Sequence, residues 1–171
     1  MKLVFVIALI VVASGCASKP SAISLAVVDD IDLAQVLDDD AAYQGATVRW
    51  GGIVTEVENK ADETWVFVVG RELKDDEKPV VDSASDGRFV ARFNGFKDPL
   101  VYKSGRPLTV VGRLDGSLKR PIGEFMYHFP VVAVRDSHLW AKPVRAPQYY
   151  YPPPLWHHPY YYHPYPHRRY W

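Results

Sequence analysis

Cysteine is nearly missing from this chain: Cys16 is the only one among 171 residues. That excludes an internal disulfide framework and a cysteine-based zinc cluster, and leaves one thiol whose position must account for it. Neither sign of charge is in excess, with 20 basic and 20 acidic side chains and a formal net charge of +0. No global field therefore draws the protein onto an acidic surface, and nucleic acid is not an expected partner. The longest apolar run, residues 3–13, falls short of the roughly 20 residues that a bilayer-spanning helix needs. Motifs of chemistry are lacking too. There is no Gly-x-Ser-x-Gly elbow, no Gly-x4-Gly-Lys-Ser/Thr phosphate loop and no His-Glu-x-x-His helix, so no catalytic residue, metal or cofactor is expected from the usual signatures. The length allows one core domain together with an anchor and a tail.

What is present begins at the N-terminus. Lys2 precedes the apolar run, and the small residues Ser14 and Gly15 stand directly before Cys16, which is the order of an export signal. The stretch Ala13-Ser14-Gly15-Cys16 resembles the lipobox of bacterial lipoproteins, with Ala13 where Leu is usual. The resemblance implies cleavage between Gly15 and Cys16 and acylation of Cys16. Its acyl chains would make the membrane a partner, since two or more chains anchor stably where one binds marginally. The residue after the cysteine is Ala17 rather than the Asp that marks retention in the inner membrane. The implied location is the outer membrane, facing the periplasm.

Four regions are expected: a signal peptide over residues 1–15, the lipidated cysteine and a Ser/Ala-rich tether over 16–28, a β domain with an N-terminal helix over 29–142, and a tail over 143–171. The tether reads as freeing the domain from the surface. Asp29 or Asp30 can cap a short helix over 31–42, with Leu33, Val36 and Leu37 at helical spacing. From Gly45 onward, β-branched and aromatic runs broken by Gly, Asp, Asn and Pro predict strands near 47–57, 64–69, 88–93, 107–114 and 124–134. Gly51-Gly52 suggests a bulge or sharp coil in the first strand, and Pro130 an edge or bulge in the last. Five strands with a coiled first strand predict a mainly β, small OB-like, partly open barrel.

The series Val48-Arg49-Trp50-Gly51-Gly52-Ile53, Gly87-Arg88-Phe89, Asp98-Pro99 with Tyr102, Gly105-Arg106 before Leu108-Thr109-Val110-Val111-Gly112, Ile122-Gly123-Glu124 with Tyr127, Pro130-Val131-Val132 and Leu139-Trp140 resembles the Slp family of starvation-inducible outer membrane lipoproteins. The resemblance runs in order from Gly45 to Trp140 and includes the lipobox. It implies a lipid-anchored, non-enzymatic envelope protein made under starvation or stress, and it supplies no active site.

Several side chains remain as candidates for binding. Arg49, Arg88 and Arg106 could form a patch for phosphate or carboxylate groups, or be paired structurally. Trp50 and Trp65 could stack sugars or fill the core. Asp98 and Glu124 could act as an acid and base, although Asp98 before Pro99 suits a turn. The run of aspartates at positions 29, 30, 32 and 38–40 reads as capping and a solvated face, because the alternating ligands of a calcium loop are absent.

After Trp140 the composition changes. Prolines at 143, 147, 152–154, 159, 164 and 166 alternate with tyrosines and with His157, His158, His163 and His167, and no acidic residue follows Asp136. Repeated proline excludes a helix or central strand, so a disordered or polyproline-like tail is expected. Its aromatic faces and cations could contact an envelope glycan, lipid headgroups or a protein groove. A binding module for peptidoglycan or lipopolysaccharide, acting through the barrel face and the tail, is thus the alternative to a structural envelope protein.

Overall fold

The computed structural model describes Ile23, Ala26 and residues 28–142. The expected signal peptide, Gly15, Cys16 and the Pro/Tyr/His tail lie outside the described residues. A short helix, α1 (Leu33–Asp38), is followed by five strands: β1 (Thr47–Asn59), β2 (Glu63–Arg71), β3 (Arg88–Asn94), β4 (Pro107–Ile122) and β5 (Phe125–Leu139). They close into a barrel in the order β1-β2-β3-β5-β4, with β4 returning to β1. This is the OB-like arrangement read from the sequence, but closed rather than partly open. Closure depends on a short parallel contact between β3 and β5, Val90 to Val131 through Arg92 to Ala133, while all other neighbours are antiparallel.

β1 is the shared strand. It pairs with β4 over residues 47–53 and with β2 over residues 51–59, so residues 51–53 serve both neighbours. Gly52 makes that coil sterically feasible: a Cβ there would lie 2.0 Å from the Val69 carbonyl oxygen. Gly112 in β4 stands in the same relation to Ala133, at 2.2 Å. The bulge itself falls between Val54 and Glu56 rather than at the glycine pair. Pro130 pairs with Ser117 directly beside the register shift between Leu114 and Ser117, the kind of irregular position that tolerates a missing N–H.

Alternation along the strands fills the barrel with Val48, Trp50, Val54, Val66, Val68, Phe89, Ala91, Phe93, Leu108, Val110, Leu114 and Val132, all buried. Trp50 and Phe89 meet edge to face with centroids 5.5 Å apart. α1 is shorter than the 31–42 expected, and Asp32 rather than Asp29 or Asp30 is its N-cap. Gln35 Oε1 accepts the Asp32 N–H at 2.9 Å, while Asp29 turns to β1 and accepts the Thr47 N–H at 2.9 Å. Leu33 and Val36 are buried, and Leu33 and Leu37 occupy the space over Gly70 and Gly87 that side chains there would fill.

β4 and β5 run well past the expected ends at 114 and 134. Asp115-Gly116 is absorbed as a bulge instead of ending the strand, and the long hairpin packs on the outer face of β2 and β3. Phe67, Val90, Phe129 and Val131 form a second buried cluster there, joined by Trp65, Leu118, Ile122 and Tyr127. Arg120 fastens the hairpin across the sheet, lying 4.5 Å above the Phe67 ring and pairing with Glu56 at 3.0 Å and Glu58 at 2.8 Å. The hydrogen bond to Glu56, helped by the Glu58 charge and opposed by partial burial, raises the Arg120 pKa above the usual arginine value.

Candidate functional site

The outer side of β1 carries the most organised polar structure among the described residues. Strand alternation that sends Val48 and Trp50 inward sends Arg49 outward. The Arg49 guanidinium donates from Nε to the Ile23 carbonyl at 3.1 Å and from Nη2 to the Ala26 carbonyl at 2.9 Å, and pairs through Nη1 with Glu77 at 3.3 Å. Ile23 is completely buried. The expected tether over 16–28 is therefore fixed to the barrel at 23 and 26, because one planar fork can hold two backbone carbonyls and a carboxylate together.

From Glu77 the polar contacts continue along the barrel wall. The Glu77 carbonyl accepts from Thr109 Oγ1 at 2.7 Å, and Thr109 Oγ1 accepts from the Trp140 indole N–H at 2.9 Å. The Trp140 carbonyl accepts from Arg106 Nη2 at 2.9 Å, and Arg106 Nη1 reaches the Val101 carbonyl at 3.0 Å. Seven hydrogen bonds thus connect the segment near the N-terminus, the β2–β3 loop, the end of β5 and the β3–β4 loop. Arg49 and Arg106 stand out in the sequence as candidate binding residues, whereas Glu77 and Thr109 carry no local signal that marks them as their partners.

Arg49 and Arg106 hold different groups, Ile23, Ala26 and Glu77 for the one and Val101, Leu139 and Trp140 for the other. Arg49 and Arg106 sit at opposite ends of this chain of contacts, both engaged with backbone carbonyls, and the Arg88 backbone N–H donates to the Tyr127 hydroxyl at 2.9 Å. Arg49 and Trp50 do come together, along a cavity of about 520 Å³ also lined by Asp30, Asp32, Gly51, Arg71, Glu72 and Asp86. Trp50 turns its indole inward and donates to the Ile31 carbonyl at 2.8 Å. It fills the core and presents no stacking face to a sugar. Trp65 is half-buried with the Lys60 ammonium 3.6 Å from its ring centroid. The Asp98 carboxylate accepts the Leu100 N–H at 2.8 Å, shaping the turn that Asp-Pro suggested, and Glu124 lies at the tip of the β4–β5 hairpin. Among the described residues no group of three His, Cys, Asp or Glu side chains could hold a metal, and no helix is long and apolar enough to cross a membrane.

Compared with known proteins, the chain matches the outer membrane lipoprotein Slp family over residues 13–168. It belongs to that family. The Slp match begins at Ala13, within the lipobox-like stretch, and extends beyond the barrel into the tail. An uncharacterized lipoprotein of Escherichia coli K12, YeaY, is 33% identical over 128 residues, which cover 74% of this chain and 66% of that protein. An uncharacterized protein of Haemophilus influenzae Rd is 30% identical over 128 residues, 74% of this chain and 69% of its own. Outer membrane protein Slp of Escherichia coli K12 is 30% identical over 98 residues, 57% of this chain and 52% of its own. The chain thus spans between about half and about two thirds of the length of these relatives. No solved structure matches it.

Proposed function

We propose that this Slp-family protein is a non-enzymatic envelope lipoprotein, cleaved between Gly15 and Cys16, acylated on Cys16 and held by its acyl chains, palmitate among them, at the periplasmic face of the outer membrane. One observation carries the reading: a single family match takes in the lipobox-like stretch, the barrel and most of the tail. A structural or interaction role under starvation or stress is the function most consistent with it. Arg49 and Arg106 are engaged with backbone carbonyls and Trp50 with the core, so in this reading the grip on peptidoglycan or lipopolysaccharide is assigned first to the tail.

Intact-mass analysis of the membrane-extracted protein, beside a Cys16→Ser variant, tests the anchor. A mature chain starting at Cys16 with three acyl chains, recovered in the outer membrane and lost from it in the variant, is the expected result. An unlipidated soluble product would sink the reading. Recovery with isolated peptidoglycan or lipopolysaccharide should fall when residues 143–171 are removed, and equal recovery would remove the tail from the account.

A further inference from the structure

The geometry points to a second membrane contact besides the acyl anchor: the β3–β4 loop dips apolar side chains into an anionic phospholipid surface while a neighbouring lysine groove takes the headgroup phosphates. The loop spans residues 95–106, and three of its large apolar side chains face water. Leu100 is 82% exposed, Phe96 72% and Val101 46%. The loop is nonetheless well secured. The backbone N–H of Gly95 donates to the Asp62 carbonyl at 2.8 Å, that of Lys97 to Thr64 Oγ1 at 2.9 Å, and those of Val101 and Tyr102 to the Asp98 carbonyl at 3.0 and 2.9 Å. Tyr102 packs on Phe93, and Arg106 holds Val101 from behind. Apolar side chains held outward on a pinned frame are what an interfacial insertion needs, because little ordering entropy remains to be lost on contact.

Beside the loop lies a groove of about 570 Å³ lined by Lys74, Lys78, Pro79, Val80, Val81, Asp82, Gly105 and Lys142. Gly105 belongs to both loop and groove, and the Lys142 ammonium would lie 3.2 Å from a Cβ placed there. Lys78 lies 5.8 Å from the Trp140 ring centroid. Three lysines face one aspartate over an apolar floor, with Asp75 and Asp76 in the turn between Lys74 and Lys78. Ammonium groups on long apolar stems above such a floor suit phosphate headgroups at the edge of an acyl layer.

Position selects the bilayer as the occupant. This inference rests on the anchor at Cys16: Ile23 stands seven residues later, so the fully extended chain between them reaches about 25 Å at most. Ile23 is the first link of the hydrogen-bonded path that ends at Val101. The anchor therefore keeps the barrel close to lipid, and the loop and groove belong to the same connected wall. Phe125 and Met126, 69% and 57% exposed at the β4–β5 tip, are not members of that path and serve as the internal control.

The test uses the full mature chain from residue 16 with Cys16→Ser, so that no acyl chain contributes, and vesicles of phosphatidylcholine with or without phosphatidylglycerol. The chain should sediment with the phosphatidylglycerol vesicles and bind those lacking it far more weakly. Leu100→Asp with Val101→Asp, and separately Lys74→Glu with Lys78→Glu and Lys142→Glu, should each weaken binding by about tenfold or more. Phe125→Asp with Met126→Asp should leave it unchanged. A polarity-sensitive dye on Leu100→Cys, in the Cys16→Ser chain, should shift to the blue on binding. Undiminished binding in the loop and lysine variants, or loss of binding in the hairpin-tip variant alone, would overturn the proposal. So would a dye that reports water throughout. Failure of the anchor would appear in the intact mass and leave this vesicle result untouched.

Discussion

The two faces of β1 are held by opposite means. Inward, Val48, Trp50 and Val54 pack among side chains from all the other strands; outward, Arg49 binds two carbonyls and a carboxylate. Apolar packing is non-directional, so the inner face fixes that a barrel forms and how tightly. Hydrogen bonds are directional, so the outer face fixes where the incoming chain and the β2–β3 loop lie. The first kind of contact should dominate global stability, and the second should govern local order.

The sharpest way to break that contrast is inside. Phe89→Ala removes a completely buried ring in contact with Trp50 and should cost about 3–5 kcal/mol, read as a lower urea midpoint. A loss below about 1 kcal/mol would mean the barrel interior is not the cooperative core. Next comes Gly112→Ala, whose Cβ would meet the Ala133 carbonyl oxygen at 2.2 Å. Backbone must shift to admit it, and a cost of about 1–3 kcal/mol is expected in the same measurement.

On the outer face, Arg49→Ala should act locally. Loss of a charged donor to two carbonyls costs about 1–3 kcal/mol at most in the attached segment, seen as faster proteolysis near Ile23 with a smaller change in the urea midpoint than Phe89→Ala produces. Arg49→Lys should not restore protection, since an ammonium cannot reproduce the planar fork. If proteolysis near Ile23 is unchanged in both variants, Arg49 does not hold the segment. The smallest effect belongs to Arg120→Ala. Its pairs with Glu56 and Glu58 are partly exposed, so about 1 kcal/mol or less is expected. Added salt should narrow the gap between this variant and the parent in thermal melts; a salt-independent gap would assign the effect to packing on Phe67 instead.

Much of this architecture is legible in the residues. The alternation of Phe89, Ala91 and Phe93 gave β3 to within a residue of its end, and Gly51-Gly52 marked the coil through which β1 serves two neighbours, because a missing Cβ is a local property. The β4–β5 extension was not legible. Asp115-Gly116 has the composition of a turn, and only the apolar cluster of Phe67, Val90, Phe129 and Val131 makes it worth continuing the strands beyond it. The arginines illustrate the same divide. Their positions on strands follow from period two, but whether they form a patch depends on partners from Ile23 to Trp140.

The class of the fold, the facing of its strands, the candidate anchor at Cys16 and the change of composition after Trp140 can be read residue by residue, since each depends on near neighbours or short periods. Closure of the barrel through β3 and β5, the hold of Arg49 on Ile23, and the place of the β3–β4 loop beside the lysine groove come from the folded chain alone. Those contacts join residues far apart in the chain, and their geometry exists only once the sheet has closed on itself.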